Sequence, residues 1–526
     1  MVNEPFDGMT LGSILRRVAR RYANREAIIF EGQRSTFAQF NSRVNRLAHA
    51  LLGVGIGRSD KVAILSSNCN EYLELYFACA KIGAILVALN YRLAQPEIKV
   101  MMDQSDTRML FVEGSLQHFI APLLDQLNIT KSPIIVIDGE PSVPGGTDYE
   151  RFTGDCTDQE PQGQQVVGQD PVLLLYTSGT TGLPKGALLT HANVVWDSLS
   201  YLRNLPPQAG DKLLQGMPFI HCSGLHILTM MNLFRGLPTV IMRTWNPQEA
   251  CRLIQAERCT YAFCLGPMLQ SLLLMPDIDR YDLSSLHLVL TAGAKYTREL
   301  IHETMYKLGV DHVLCGYGLT ECTPTVTITE NTAETIAKEN CLGWPVWYLD
   351  VRIVDADGSD VPVGSVGELI VHGPNVFAGY YKMEQATSEA LRDGWLYTGD
   401  LVRMDDDGCI FFVDRRKDMI KSAGENVYAT EVEVALLKAN PELLDVAVLG
   451  VPHAKWGEMV IACVVARSAT DLSEEQVRER TRALIAGYKV PKSVIFLEAL
   501  PRSSSGKIQK HILRQGAIAH LAARSD

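Results

Sequence analysis

Residues Tyr176-Thr-Ser-Gly-Thr-Thr-Gly-Leu-Pro-Lys-Gly186 decide how this chain is read. They follow directly on Val172-Leu-Leu-Leu175, an apolar run with the length and composition of a buried strand. Gly179, Gly182 and Gly186 let backbone N–H groups approach an anion closely. The hydroxyls of Thr177, Ser178, Thr180 and Thr181 add donors, and Lys185 adds a point charge. Such a loop cradles phosphate. It is not the Walker form, because the spacing G-x-x-x-x-G-K-[ST] is absent and a glycine follows the lysine.

Outward from that loop, between about residues 25 and 320, short apolar runs alternate with longer stretches of helical period. Val62–Leu65, Ile85–Leu89, Met109–Val112, Ile134–Ile137, Thr239–Met242, Leu286–Leu290 and His312–Cys315 are such runs. The alternation predicts an α/β fold with a large N-terminal domain of stacked βαβ layers and buried parallel strands. After about residue 345 the texture changes to turn-punctuated strands, Val351–Val354, Gly367–Val371 and Cys409–Val413, which predict a small barrel-like element. The last hundred residues pattern as a small α+β domain: a helix from Glu431, strands at Asp445–Val451 and Val460–Ala466, and a Ser473/Gln476 capping box opening another helix. The boundary falls at Asp414-Arg-Arg-Lys-Asp418, a charged run that on pattern alone reads as a solvated turn.

Composition narrows the function classes. The chain has 526 residues, 47% hydrophobic and 21% charged, which excludes a disordered or fibrous protein. A formal net charge of -11 argues against nucleic acid as the main partner. The twelve cysteines are scattered with no C-x-x-C pair, so neither a disulfide framework nor a zinc ribbon is suggested and a reducing, cytoplasmic setting is expected. No secretory leader or membrane-spanning run is expected; the basic stretch Leu15–Arg25 reads as a solvated helix face rather than a membrane anchor.

Three further motifs carry chemistry. Gly316-Tyr-Gly-Leu-Thr-Glu321 follows a strand, and the dinucleotide fingerprint fails because Glu321 stands where a third glycine is needed. What remains is a tight turn with an aromatic face suited to a base at Tyr317, and a hydroxyl and carboxylate suited to a phosphate and its magnesium ion at Thr320 and Glu321. Asp400 closes Asp393-Gly-Trp-Leu-Tyr-Thr-Gly-Asp400 and is suited to accept both hydroxyls of a ribose. Lys507 lies in the small-residue loop Pro501-Arg-Ser-Ser-Ser-Gly-Lys507, where alone it reads as a solvent lysine.

In order, wording and spacing these four segments resemble the adenylate-forming superfamily of acyl-CoA synthetases, nonribosomal adenylation domains and beetle luciferases, over nearly the whole chain. Further matches are Met217-Pro-Phe-Ile-His221 with Gly224, Gly367-Glu-Leu-Ile-Val-His-Gly373 leading to Gly379-Tyr380, Asp414-Arg-Arg-Lys-Asp-Met-Ile-Lys421 with Gly424, and Trp456-Gly-Glu458. The resemblance implies an N-terminal domain over residues 1–413, a hinge at 414–417 and a mobile C-terminal domain over 418–526. It implies MgATP and coenzyme A as cofactors. A carboxylate attacks the α-phosphate to give an acyl-adenylate, and a thiol then displaces AMP.

By position the resemblance gives Thr177, Ser178, Gly179, Thr180, Thr181, Gly182 and Lys185 to the β- and γ-phosphates, with Glu321 and Thr181 on magnesium and Thr320 on the α-phosphate. It stacks Tyr317, flanked by Gly316 and Gly318, on adenine, with Gly293, Ala294 and Lys295 along its edge, and gives Asp400 and Arg415 to the ribose. Lys507 bridges the α-phosphate and the acid, His221 gates the passage between acyl and thiol sites, and Lys421 and Gly424 lie on the face that serves the thiol step. The adenine-edge segment departs from the usual Gly-Gly-Ala-Pro-Leu, reading Ala292-Gly-Ala-Lys-Tyr296; contacts there come mostly from backbone, so nucleotide binding should survive.

The acyl pocket is expected from Met217–Met231, Phe263–Met268, Ala292–Ala294 and Gly318–Thr325, with Gly318 bordering it. The first two stretches hold no Asp or Glu, which disfavours an amino-acid substrate and leaves medium-chain, cinnamic-type and aryl acids open. The expected partners are a small carboxylic acid and coenzyme A, without nucleic acid or stable membrane insertion, and with a homodimer open. An adenylating enzyme that loads a separate carrier protein is the runner-up. A light-producing oxygenase would carry the same motifs, and a catalytically inert nucleotide-binding protein would have no need of Glu321, Asp400 and Lys507 together.

Overall fold

The computed structural model describes residues 9–127, 129, 133–177, 184–205, 210–293, 297–330, 333–338, 340–422, 425–453, 456–467, 472–502 and 507–523. The chain gathers into two compact units, one of residues 1–351 with 371–396, the other of residues 352–370 with 397–526.

In the larger unit one sheet runs in the order Gly379–Tyr380, Lys185–Thr190, Pro171–Thr177, Ile85–Leu89, Lys61–Leu65, Thr107–Glu113, Ile134–Ile137, Gly146–Asp148. From Pro171–Thr177 onward the pairs are parallel, and all these strands but the last, the half-buried Gly146–Asp148, are Val/Ile/Leu-rich and buried, as is usual of parallel strands. At the other end Lys185–Thr190 pairs antiparallel with Pro171–Thr177, placing Thr177 opposite Lys185. The phosphate-loop segment therefore joins two strands of a hairpin instead of running from strand into helix. A second sheet holds, within this unit, Cys341–Pro345, Thr325–Ile328, His312–Gly318, Leu288–Ala292, Tyr261–Leu265, Leu213–Gln215, Thr239–Ile241, Glu26–Phe30 and Gln33–Thr36 in that order.

The basic N-terminal stretch presents the solvated arginine face expected of it and buries its opposite side. It is the helix Leu11–Arg21, capped by Thr10, whose Leu11, Leu15, Val18 and Ala19 are buried while the arginines point outward. Its first N–H donates to Nδ1 of the fully buried His191 at 3.2 Å.

In the smaller unit Leu443–His453 and Gly457–Ala466 pair antiparallel, Ser493–Phe496 adds in parallel, and the hairpin of Ile420–Ser422 with Glu425–Val427 joins the same sheet. Helices Ala429–Ala439, Glu474–Arg482 and Lys510–Ala523 complete the α+β arrangement. The charged run 414–418 is the solvated turn of its pattern only in part: residues 416–418 form a turn with Arg416 and Lys417 exposed, whereas Asp414 is buried. Asp414 is 2% exposed and accepts from Thr430 through N–H and hydroxyl, both at 3.3 Å, tying strand Ile410–Arg415 to the next helix. Ten of the twelve cysteines are free, and nine of those are buried.

Candidate active site

Strands Leu288–Ala292 and His312–Gly318 lie side by side in parallel, pairing Ala292 with Gly316, so the adenine-edge residue Gly293 and the Gly316–Glu321 turn emerge from neighbouring carboxyl ends. Crevices at such ends are where open α/β sheets bind ligands. Gly293 has a φ of +68°, in the region only glycine enters without strain. Ala294 and Lys295, like Ser178–Gly182, Gly424 and the 503–506 loop before Lys507, lie outside the described residues.

The turn after Gly318 is held from several sides. Leu319 N–H donates to Pro324 O at 2.8 Å and closes it around the short helix Thr320–Cys322. Fully buried Asn375, which the sequence did not flag, donates to Cys322 O at 2.8 Å and Thr325 O at 2.7 Å. Tyr380, a motif position with no role assigned from sequence, sets the carboxylate itself: its hydroxyl donates to Oε1 of Glu321 at 2.6 Å. Burial and the neighbouring Glu321 charge hold that phenol well above its usual range, so it stays a donor. The ammonium of Lys185 lies 5.1 Å from the centroid of the same ring. Tyr380 in turn pairs with Ala187 on the hairpin, and Phe377 N–H donates to Glu321 O at 2.9 Å. Thr177, Lys185, Tyr380 and the Gly316–Glu321 turn thus form one constellation.

Whatever Gly318 borders, its backbone leaves no room for a side chain. A Cβ on Gly318 would lie 1.7 Å from Pro324 O, where strand His312–Gly318 shifts register against Thr325–Ile328. Glycine is required there for backbone clearance. Gly318→Ala should therefore destabilise the protein by about 3 kcal/mol or more, the scale of a severe backbone clash, and lower turnover for every acid alike. Thermal denaturation with a chain-length profile checks this; an unchanged melting temperature with altered chain preference would contradict it.

His221 is half-buried and opens the helix Cys222–Leu225. Buried Asn68 pins the segment before it, donating to Met217 O at 2.8 Å and accepting from Phe219 N–H at 2.8 Å. A Cβ on Gly224 would lie 2.2 Å from Pro218 O, so this turn also needs its glycine. Around it Met217, Phe219, Met230, Met231 and Phe263 are buried. Farther in, His226 bridges Tyr76 Oη at 2.9 Å and Cys222 Sγ at 3.2 Å, and burial lowers its pKa to about 3, keeping the ring neutral.

Asp197 is fully buried, accepts from Thr325 N–H at 3.0 Å through Oδ1, and leaves Oδ2 without a hydrogen-bond partner. Burial pushes its carboxyl up to about 8. The folded protein keeps this proton where the unfolded chain, ionising near 3.9, has lost it, so stability drains away as pH rises from about 4 to about 8 and is level above that. Asp197→Asn should accordingly gain stability over wild type at pH 8.5 and little at pH 4.5. Equal melting-temperature differences at both pH values would contradict the assignment.

In the smaller unit Asp400 and Arg415 face each other across strands Trp395–Met404 and Ile410–Arg415, Arg415 Nε lying 3.4 Å from Asp400 Oδ1. Lys421 is exposed, and its backbone N–H donates to Glu458 Oε2 at 2.7 Å. Lys507 is exposed beside the bridge that pairs Arg502 with Ile508, where Arg502 is anchored to Asp445 at 2.5 Å.

Residues 15–381 match the AMP-binding enzyme family and residues 431–507 match the AMP-binding enzyme C-terminal domain. The chain belongs to the AMP-binding enzyme family. Feruloyl-CoA synthase of an Amycolatopsis species is 36% identical over 505 residues, 96% of this chain and 98% of that one. Indoleacetate–CoA ligase of Aromatoleum aromaticum is 35% identical over 508 residues, with the same coverage. The solved ATP-bound structure of MatB from Rhodopseudomonas palustris superposes with a TM-score of 0.85 at 27% identity, covering 96% of this chain and 98% of that one. This AMP-binding enzyme is an AMP-forming acyl-CoA synthetase that uses ATP, magnesium and coenzyme A. Its described residues fit the ion: Glu321 gives one oxygen to Tyr380 and has a second for a hard cation. Among the described residues no group of three or more His, Cys, Asp or Glu is placed to hold a metal.

Proposed function

We propose that the enzyme activates an apolar carboxylic acid of the aryl or medium-chain class, using Thr177–Lys185, Glu321, Thr320, Tyr317, Asp400 and Arg415 for ATP in the roles their positions imply. The observation that carries this reading is the Tyr380 bridge, which brings the phosphate hairpin and the magnesium carboxylate into one constellation. Magnesium, when bound, supplies charge neutralisation at the phosphates. The chain's own part is to orient: Lys185 and the hairpin N–H groups hold the departing pyrophosphate, and Thr320 sits where charge grows on the α-phosphate. A carboxylate cannot expel oxide, whereas AMP is a stabilised leaving group, which is why adenylation precedes thiol attack.

Apolar side chains flank His221, and the buried carboxyl nearby, Asp197, stays protonated below pH 8, so it offers no counter-charge to an ammonium. Relatives named for feruloyl- and indoleacetate-CoA formation support the aryl end of the range. We assign the hinge to 414–417, with residues 418–526 presenting Lys507 for adenylation and the Lys421 face for thiol transfer past His221. The ten free cysteines favour the cytoplasm, and among the described residues no helix is long and apolar enough to cross a membrane. The free acid and coenzyme A are then the partners of a monomer or homodimer.

A panel of carboxylic acids with ATP, magnesium and either coenzyme A or a phosphopantetheinyl carrier protein tests the reading. Thioester on coenzyme A with cinnamic-type or aryl acids is expected; exclusive turnover of amino acids, or acylation of the carrier alone, would contradict it.

A further inference from the structure

Glu368 is a buried acid, 6% exposed, with both carboxylate oxygens committed. Oε1 accepts the N–H of Gly399 at 3.0 Å, and Oε2 takes the guanidinium of Arg416 at 2.7 Å. Gly399 immediately precedes Asp400 and Arg416 immediately follows Arg415, so one carboxylate clasps the backbone next to each member of the Asp400/Arg415 pair. Three more hydrogen bonds close the clasp. Arg416 N–H donates to Gly399 O at 2.8 Å, Thr398 Oγ1 donates to Leu369 O at 2.7 Å, and Asp400 N–H donates to Thr398 Oγ1 at 3.1 Å. Gly399, at a φ of +74°, takes a backbone conformation that favours glycine immediately before Asp400. At 3.4 Å, with the carboxylate buried and the guanidinium largely exposed, the Asp400–Arg415 pair is weakly self-organising, and an unsupported arginine spends its time in many rotamers. Burying an ionised glutamate is unfavourable unless it is paired, and here its pairing is directed entirely at the two residues bracketing that pair.

We propose that Glu368 is a positioning residue for the nucleotide ribose: it touches no substrate, and it holds Asp400 and Arg415 in the geometry that accepts the sugar hydroxyls. This rests on the assignment of Asp400 and Arg415 to the ribose. A diol bound by one carboxylate needs both oxygens at hydrogen-bond distance together, so a displacement of a fraction of an ångström is felt at the hydroxyls and not at the phosphates or base.

The test compares ATP with 2′-deoxy-ATP and 3′-deoxy-ATP in pyrophosphate–ATP exchange, for wild type, Asp400→Asn, Glu368→Gln and Glu368→Ala. Hydrogen bonds to a charged group should give wild type a preference for ATP of about 10- to 100-fold in kcat/KM. Glu368→Ala should raise KM for ATP about tenfold with kcat little changed, leave both deoxy-nucleotides nearly unaffected, and so collapse the preference. Glu368→Gln, which keeps an acceptor for Gly399 and loses the ion pair, should fall between, and carries the test if the alanine variant does not fold. An equal loss for all three nucleotides, or no loss, would overturn the positioning role. An unchanged ATP preference in Asp400→Asn would overturn the ribose assignment beneath it.

Discussion

Lys507→Ala is expected to slow acyl-adenylate formation at least about a hundredfold, the effect of removing one preorganised charge donor from a developing anion. Thioester formation from supplied acyl-adenylate should remain nearly intact. The distinction follows from the chemistry of the two steps. In the first, two anions, a carboxylate and an α-phosphate, must approach each other, and a cation between them lowers that repulsion. In the second a thiol displaces AMP from an adenylate already formed, and no such approach of like charges occurs. Lys507 is exposed at the foot of a small-residue loop whose base is fastened by the Arg502–Ile508 bridge, a placement suited to reaching outward from a fixed stem. Pyrophosphate exchange and thioester formation from synthetic adenylate, measured separately, check the split; equal loss of both in a folded variant would contradict it.

Lys417→Pro should do the reverse. Lys417 sits in the turn where Asp418 N–H and Met419 N–H both donate to Arg415 O, at 2.8 and 3.0 Å, just past the strand that carries Arg415. Partial desolvation lowers the pKa of its ammonium, although the residue as a whole is exposed. Proline fixes φ near -65° and restricts the residue before it, removing the freedom a hinge requires. Adenylation should persist within a few-fold while thioester formation falls by about a hundredfold or more, the range for losing a gated step from the cycle. Stopped-flow thioester formation beside pyrophosphate exchange measures it; wild-type rates in both would remove the hinge from Lys417.

The apolar strand patterns in the sequence were legible because burial on both faces leaves strands little choice of residue. Val172–Leu175, Ile85–Leu89 and Ile134–Ile137 read as strands and are strands. The Gly316–Glu321 turn was legible too, since few sequences need glycine, aromatic, hydroxyl and acid in six positions. What could not be read was who holds these groups. Tyr380 reaches Glu321 across 59 positions, and Asn68 reaches the His221 turn across about 150, and no local period encodes either pairing. The charged run at 414–418 was legible in part for a related reason: Arg416 and Lys417 are exposed in a turn as charge predicts, while Asp414 is buried on Thr430 and Arg416 reaches Glu368, partners that no local pattern names. Along Leu11–Arg21 the arginine face is solvated as read; what a count along the chain did not show is that four buried apolar residues suffice to dock the other side.

The claim on which the rest depends is that the acid's own oxygen attacks the α-phosphate. Turnover of a carboxylic acid labelled with 18O in both carboxyl oxygens, in the presence of ATP, magnesium and coenzyme A, tests it directly by mass spectrometry of the nucleotide product. One labelled oxygen in the phosphate of AMP, with unlabelled pyrophosphate, is the predicted result; label in inorganic phosphate with ADP as the product, or unlabelled AMP, would contradict it.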